Sequence, residues 1–410
     1  MEIKKLTRRP ELDALRGLFL ILMVMAHLPT ALSDWSNQPI GFISAAEGFV
    51  GLSALLVGRI YFGRLFKDER GVWSKLWRRS VRIYVYQLIL LALVFTVAAS
   101  IAITTHRTAI INLLTFYLAH PRDAVIGSVL LIYCPPLFDI LPMYIIFLFL
   151  TPIFLSAARR IGWRWVLGTS AAFWLGAQLG LREIVHHWLG QVTHLNVPLQ
   201  ATGAFNLFAW QLVWIVGLWL GAASAVQEMP LRKLPRWTLP LSIAVCCFFL
   251  GIRHGWYGPN WGQQSFGALL DKWQLGSLRV INIAAYIALF WWARKYIGKA
   301  LNHEPLITFG QASIEVFCAH LFFVFVGLSF VSGDLLHAHG TEAVLLDLVT
   351  FPALFGFAVW VVRRRQRKQK PPRTMEPPPV TEALPHPPAP EAQDTATPAL
   401  SAAVENEDAA

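Results

Sequence analysis

Residues 11–28 read ELDALRGLFLILMVMAHL, an apolar run of roughly the length of a membrane helix that contains ionisable side chains. An α-helix turns about 100° per residue, so Arg16 and His27 lie within about 20° of each other on one face. Asp13 precedes Arg16 by one turn on roughly the same side. Charged groups inside a membrane helix are costly and are functional-site candidates by default. We therefore expect this helix face to carry chemistry.

The composition is that of a membrane protein. Of 410 residues, 55% are hydrophobic and 14% are charged, whereas a soluble domain carries about 25% charged residues. Apolar runs of about 20 residues recur along the chain, which predicts an all-α, polytopic membrane helical bundle with about ten transmembrane helices. The predicted segments are residues 13–32, 42–62, 84–104, 138–157, 164–181, 205–224, 237–252, 276–297, 307–330 and 344–362.

Lysine and arginine are concentrated in alternate connections between these segments. The connection 63–83 is rich in both, whereas the connection 105–137 contains only Arg107 and Arg122. Basic loops mark the cytoplasmic side, so both termini are predicted to be cytoplasmic in a multi-pass protein of the lipid bilayer. The net charge of +11 follows from this asymmetry and does not indicate nucleic-acid binding.

The C-terminal segment differs from the rest of the chain. Residues 366–410 are rich in Pro, Ala and Glu and predict a disordered cytoplasmic tail, which leaves residues 1–365 as the transmembrane domain. The four cysteines, Cys134, Cys246, Cys247 and Cys318, have no metal-ligand spacing. No metal site and no disulfide framework are therefore predicted.

Six blocks follow one another over roughly residues 9–362. They are RRPELDALRGLFLILMVMAHL, FISAAEGFVGLSALLVGRIYFGR, WRRSVRIYVYQ, FNLFAWQLVWIVGLWLG, QLGSLRVINIAAY and PLITFGQASIEVFCAHL. In this order they resemble the OpgC-type membrane acyltransferases of osmoregulated periplasmic glucans, a family similar to the broader acyltransferase-3 group. The resemblance implies transfer of an acyl group from cytoplasmic acyl-CoA to a hydroxyl of a periplasmic glucan. Succinyl is the acyl group that the resemblance favours. It also implies the bacterial inner membrane, with acyl-CoA as co-substrate and no permanently bound cofactor.

His27 is the predicted catalytic residue, since acyl transfer to a hydroxyl needs a base that takes the hydroxyl proton. A transient acyl group on His27 is equally compatible with the sequence. Glu47, in ISAAEGFVG, lies at a comparable depth and is predicted to orient His27. The structural alternatives are a histidine hydrogen-bonded for packing and a glutamate hydrogen-bonded to backbone.

Arg16 lies about 16 Å along the helix from His27, a span comparable to a pantetheine arm. Arg16 and Asp13 are therefore predicted to line a donor channel, although an ion pair between them that anchors the helix end is the alternative. Arg82, in a basic block before the third segment, is predicted to bind coenzyme A phosphates. Topology alone, or anionic lipid headgroups, would also explain that block.

Arg279 and Asn282 lie one turn apart at the start of the eighth segment, where Arg279 is a candidate catalytic residue and Asn282 a candidate substrate-binding residue. An intramembrane arginine needs a partner, and Glu47 or Glu315 is the predicted choice. Stabilisation of the thioester oxyanion, or of a succinyl carboxylate, is the alternative role of Arg279.

Ser313 and His320 share one face of the ninth segment, and both are candidate substrate-binding residues. His320 is also the alternative catalytic histidine.

Histidines and aromatic residues in the predicted periplasmic connections suit the faces and rims of sugar rings. They are His186, His187, Trp188, His194, Trp256, Tyr257 and Trp261. Two other functions remain open at this point: a transporter or flippase of a glycan or lipid-linked intermediate, and a non-catalytic partner of another glycan enzyme. The sequence leaves the oligomeric state open, a homodimer included.

Overall fold

The structure is a computed structural model that describes residues 9–106, 108–258, 261–330 and 341–369. Within these ranges the chain forms helices, turns and loops and no β-strand, which confirms the all-α prediction. The α-helices are α1 Pro10–His27, α2 Leu32–Ser36, α3 Ala45–Leu65, α4 Glu69–Leu93, α5 Ala99–Thr105, α6 Thr108–Leu113, α7 Thr115–Ala119, α8 Pro121–Val129, α9 Ile140–Ile161, α10 Trp163–Gln178, α11 Leu181–Thr193, α12 Leu207–Ala225, α13 Thr238–Arg253, α14 Trp261–Phe266, α15 Ser277–Ala300, α16 Glu304–Gln311, α17 Ser313–Phe330 and α18 Thr341–Gln369.

Several helices have the length and apolar character of membrane spans. In the described ranges five segments qualify, and the pair α16 and α17, bent by 90° at its break, makes up to six. The five are Ala45–Leu65, Glu69–Thr105, Ile140–Ile161, Leu207–Ala225 and Ala343–Lys368. Each of the ten predicted segments overlaps a helix, but the count of about ten is not confirmed. Helices α10 and α13, for example, have 16 residues each, about 24 Å, which is shorter than a hydrocarbon core of about 30 Å.

Glycines allow α3 and α12 to pack with their backbones in contact. A Cβ on Gly58 would lie 2.3 Å from the carbonyl oxygen of Leu218, and one on Gly221 would lie 2.0 Å from that of Leu55. Small residues at such contacts let membrane helices approach closely and gain van der Waals packing. Both contacts lie in the half of α3 that is farther from Glu47.

The same device fixes α1 against α16. A Cβ on Gly17 would lie 2.0 Å from the carbonyl oxygen of Leu306, and one on Gly310 would lie 1.8 Å from that of Asp13. This contact buries the face of α1 that carries Arg16, and Arg16 is only 8% exposed. The bend after α16 then directs α17, which carries His320, along the bundle.

The predicted tail lies mostly outside the described residues. Helix α18 continues to Gln369, so residues 366–369 are helical where the sequence predicted disorder. Residues 370–410 are outside the described ranges.

Candidate active site

Two histidines from distant parts of the chain meet inside the bundle. His27 is the last residue of α1, and His320 lies within α17 and is 0% exposed. Nδ1 of His27 is 3.0 Å from Nε2 of His320, and the rings are nearly parallel, with 14° between their planes. The two histidines that the sequence offered as first and second catalytic candidates therefore form one pair.

The hydrogen bonds of this pair assign its protons. Nδ1 of His320 donates to the carbonyl oxygen of Phe317, because a carbonyl oxygen can only accept. A neutral imidazole with its proton on Nδ1 offers Nε2 as an acceptor, so His27 donates through its own Nδ1. Nε2 of His27 is then the unprotonated nitrogen, and it is the basic atom of the pair.

Glu47 is engaged by other residues. Its Oε1 accepts from Nε of Arg279 at 2.6 Å, and its Oε2 accepts from the backbone N–H of Ser44 at 2.9 Å and from the Ser44 hydroxyl. The side chains of Glu47 and Arg279 are each 1% exposed. The structure thus brings Glu47 to Arg279, one of the two partners predicted for that arginine. The predicted contact between Glu47 and His27 is not formed, since His320 holds Nδ1 of His27.

Lys272, in the loop before α15, lies against aromatic rings. Its Nζ is 4.7 Å from the ring centroid of Trp273 and 6.0 Å from that of Phe205. Its carbonyl oxygen accepts from Nε1 of the buried Trp210 at 3.1 Å. These contacts hold both the backbone and the ammonium of Lys272 in place.

The Lys272 ammonium is also an electrostatic neighbour of the polar groups described above. It interacts with His27, with the pair of Glu47 and Arg279, and with Asp139 before α9. Burial lowers the pKa of Lys272, and the Glu47 carboxylate opposes that shift. Burial raises the pKa of Asp139 to about 7. This end of the site therefore contains two cations, Lys272 and Arg279, beside the carboxyl groups of Glu47 and Asp139.

The Arg16 end of α1 is differently arranged. Nε and Nη2 of Arg16 are buried and have no hydrogen-bond partner among the described residues, and the guanidinium lies 5.4 Å from the ring centroid of Phe49. Tyr144 and Arg79 are its electrostatic neighbours, and Nη2 of Arg79 donates to the Tyr144 hydroxyl at 3.1 Å. Two cations and a phenol therefore converge here, with N–H groups that have no acceptor.

Other predicted residues lie near the Arg16 end or away from it. Asp13 and Glu315 interact electrostatically with Arg16, and Glu315 forms a salt bridge with Arg365. Arg82 is exposed on α4 and is not part of this cluster in the described contacts. A groove of about 720 Å³ runs along the first turns of α4. It is lined by Glu69, Arg70, Trp73, Ser74, Trp77, Arg78 and Val81.

Asn282 and Ser313 are both buried. Asn282 follows Arg279 by one turn of α15, and its amide oxygen and nitrogen both lack a hydrogen-bond partner in the described part of the chain. Ser313 is the first residue of α17, two turns before His320. Buried amides are normally hydrogen-bonded, so the unfilled groups of Asn282 suit a bound polar molecule.

A small cavity lies just beyond the His27 end of α1. It has a volume of about 200 Å³ and is bordered by α2 and by the end of α13. Arg253 donates to the carbonyl oxygen of Asn37 at 3.0 Å, and Nε2 of His254 lies 3.1 Å from the carbonyl oxygen of Pro39. These two contacts tie the end of α13 to the loop after α2. Its lining residues are Asp34, Trp35, Asn37, Gln38, Pro39, Arg253 and His254.

The predicted sugar-contacting residues lie on α11 and directly after it, after the end of α13, and on α14. Trp256 and Tyr257 are exposed beside the end of α13, whereas His186 hydrogen-bonds the carbonyl of Val197 at 2.8 Å. Their contact with sugar stays a prediction. Across the described residues no group of three His, Cys, Asp or Glu side chains could hold a metal ion.

Sequence reasoning missed Tyr144, Lys272 and Trp35. Tyr144 lies in an apolar run, where an aromatic residue carries no functional signal. Lys272 had a usable signal, because it is a lone cation in the aromatic-rich loop directly before the segment that contains Arg279. Trp35 had one too, since it follows the first helix at the end where an acceptor is predicted to arrive.

Helices of membrane-spanning length around a pair of histidines inside the bundle define the class as an integral membrane protein. The chain belongs to the OpgC protein family, whose model matches residues 8–366. This confirms the predicted OpgC resemblance, and membership suggests a glucan-modifying acyltransferase. The similarity to the acyltransferase-3 group stays a prediction. No curated protein and no solved structure matches the chain.

Proposed function

We propose that the protein is a membrane O-acyltransferase that moves an acyl group from acyl-CoA to a hydroxyl of a periplasmic glucan. Succinyl is the acyl group that we favour. The observation that carries this proposal is the pair of His27 and His320, in which Nε2 of His27 is left as the basic atom. Family membership supports the transferase class.

The proposed reaction combines one proton transfer with one acyl transfer. The glucan hydroxyl oxygen attacks the thioester carbonyl while Nε2 of His27 takes the hydroxyl proton. The C–S bond then breaks, and the imidazolium returns the proton to the coenzyme A sulfur. His320 is a positioning residue, because its Nε2 holds the His27 ring and fixes its tautomer. In the covalent variant, Nε2 of His27 attacks the thioester carbonyl, the C–S bond breaks, and coenzyme A leaves as the thiolate. The glucan hydroxyl oxygen then attacks the acyl carbonyl, the C–N bond to His27 breaks, and the hydroxyl proton passes to the thiolate.

The donor is proposed to bind from the Arg16 end. Its phosphates and pantetheine amides would supply acceptors for the unpartnered N–H groups of Arg16, with Arg79 and Tyr144 alongside. The rise from Arg16 to His27, about 16 Å, suits a pantetheine arm that carries the thioester to the histidine. Arg82, exposed on α4, would contact the donor only at its outer phosphates.

The acceptor is proposed to bind from the opposite end. The cavity beside α2 offers about 200 Å³, the volume of about seven liquid waters, to a sugar ring. Trp35, 65% exposed, supplies an apolar face there, and Gln38 and His254 supply hydrogen-bonding groups. The unfilled amide of Asn282 is a further donor for an acceptor hydroxyl.

We place the protein in the bacterial inner membrane with both termini cytoplasmic, so that acyl-CoA meets the Arg16 end. About ten crossings require the shorter helices to cross as well, where the bilayer is locally thinned around them. Residues 366–410 would then form a cytoplasmic tail beyond the catalytic domain. Acyl-CoA acts in this scheme as a co-substrate, and no resident cofactor takes part.

The test is transfer of labelled acyl groups from acyl-CoA to unmodified glucan by the purified protein. We expect His27→Ala to lower the rate by about 10³-fold, since the base is removed. His320→Leu should lower the rate by roughly tenfold or more, and His320→Gln should recover part of it because the amide oxygen accepts from Nδ1 of His27.

His303→Ala, which removes an exposed histidine, is the matched control and should be silent. Full activity in His27→Ala, or glucan flux without acyl-CoA consumption, would refute the proposal. Labelled protein trapped in the absence of glucan would select the covalent variant.

A further inference from the structure

The groove on α4 takes no part in the proposed reaction. It has a volume of about 720 Å³ and lies along the first turns of the helix. Two neighbouring rows of side chains line it, and within each row the residues follow one another at one helical turn. The polar row consists of Arg70, Ser74 and Arg78. The apolar row consists of Trp73, Trp77 and Val81.

The polar row carries positive charge. Glu69 also lines the groove, but its carboxylate forms a salt bridge with Arg159 of α9 and accepts from the Ser156 hydroxyl at 2.8 Å. Arg70 and Arg78 are exposed, and neither forms an ion pair with another described residue. The groove therefore offers two guanidinium groups to an anion from outside the protein.

The indole N–H groups of the apolar row are already used within the protein. Nε1 of Trp73 donates to the hydroxyl of Ser156 at 3.2 Å, and Nε1 of Trp77 donates to the carbonyl oxygen of Phe149 at 3.2 Å. The ring of Trp77 also stacks on that of Phe149, with 5.6 Å between the centroids. What this row offers to a ligand is apolar surface, without an indole donor for a nucleobase or a ribose.

The apolar row continues along α4 as an exposed stripe. After Val81, every fourth residue is again an exposed hydrophobic one, namely Val85, Ile89 and Leu93. From Val81 to Leu93 the helix rises about 18 Å, a little more than half of a hydrocarbon core about 30 Å thick. The groove thus lies at the head of an apolar stripe that is long enough for a lipid acyl chain.

We propose that this groove binds an anionic phospholipid of the membrane. The phosphate lies against Ser74, between the guanidinium groups of Arg70 and Arg78, whose planar forks match phosphate oxygens. An acyl chain lies on Trp77 and Val81 and continues along the stripe. Tryptophans are typical of the membrane interface, where a headgroup and its chain meet. This inference goes beyond the proposed function and does not depend on it.

The experiment measures lipid binding to the purified full-length protein in detergent by native mass spectrometry. Phosphatidylglycerol and phosphatidylcholine with identical acyl chains are the probes, since they differ in net charge. We expect the wild-type protein to prefer phosphatidylglycerol by about 10- to 30-fold, because each basic residue at a bilayer surface favours anionic lipid by about fivefold. The double variant Arg70→Gln with Arg78→Gln should lose this preference. Lys75→Gln, which removes an exposed cation of α4 outside the groove, is the matched control and should retain it.

Two further measurements test the apolar part of the site. Val81→Gln places an amide in the path of the acyl chain and should weaken phosphatidylglycerol by about tenfold with both arginines intact. Free coenzyme A should not displace the lipid, because a soluble anion does not cover the stripe. Displacement by coenzyme A would instead assign the arginines to a soluble phosphate and overturn the proposal. Equal affinities for the two lipids, a preference that survives the double arginine variant, or unchanged binding in Val81→Gln would overturn it as well.

Discussion

The two buried arginines of the site, Arg16 and Arg279, are in opposite electrostatic settings. Arg279 meets the carboxylate of Glu47 through Nε at 2.6 Å and through Nη2 at 2.5 Å. Arg16 has an aromatic ring at 5.4 Å and two buried nitrogens without a hydrogen-bond partner in the described structure. Arg279 is therefore closed by the Glu47 carboxylate, and we call its position the closed end, whereas Arg16 at the open end can still receive an anion.

This difference separates support from binding. A buried ion pair with its remaining lone pairs satisfied, as in Glu47 with Ser44, holds helices in register. A buried guanidinium with unfilled donors is costly unless a ligand completes it. We therefore expect Arg279 to act mainly on stability and Arg16 mainly on donor affinity.

Opening the closed end should have the largest effect on stability. Glu47→Ala leaves the Arg279 charge buried and unpaired, which should cost about 3–5 kcal/mol. The measurement is the free energy of unfolding of the purified protein in detergent. The double variant Glu47→Gln with Arg279→Met removes both charges at similar volume and should recover most of the loss.

Strong coupling between the two positions is the outcome expected of a brace. If Glu47→Ala unfolded like the wild-type protein but lost activity, Glu47 would instead be part of the reaction. That result would restore the catalytic role first predicted for it from the sequence.

Changing the open end should affect the donor rather than the fold. Arg16→Met should raise KM for acyl-CoA by about 10- to 100-fold, because charge-assisted hydrogen bonds to the donor are lost. The thermal midpoint of Arg16→Met should stay equal to that of the wild-type protein or rise, since a buried cation with two unfilled N–H donors is removed.

Arg82→Met is the control at an exposed arginine of the basic block, and it should change KM by less than about threefold. A thermal midpoint lowered in Arg16→Met as far as in Glu47→Ala would show that both arginines are braces. The comparison between the two ends would then fail.

Contacts between residues that are close in sequence were predictable, and contacts between residues that are far apart in sequence were not. The shared face of Arg16 and His27 follows from helix periodicity, which is a local property. The pairing of His27 with His320 joins α1 to α17, and no local pattern specifies which helices become neighbours. The sequence therefore offered both histidines but assigned Glu47 as the orienting group.

The fold shows the same limit. Composition predicted a helical membrane protein, but apolar length did not predict the 90° break between Gln311 and Ser313 or the short helices α10 and α13. Tyr144 acquires its place beside Arg16 only through the packing of α9. Such contacts depend on which helices pack together, and the periodicity of a single sequence does not reveal that.

A pH-dependent effect on stability is expected at Asp139, the second carboxylate among the electrostatic neighbours of Lys272. Burial raises its folded-state pKa to about 7, above the ordinary value of 3.8, so the folded protein binds this proton more tightly than the unfolded chain does. Ionised Asp139 therefore destabilises the folded state, and the penalty grows as the pH rises from about 4 to about 7. We expect Asp139→Asn to raise the thermal midpoint more at pH 8 than at pH 5. An equal gain at both pH values would mean that the folded protein does not raise the pKa of Asp139, and the pH-dependent penalty would then be absent.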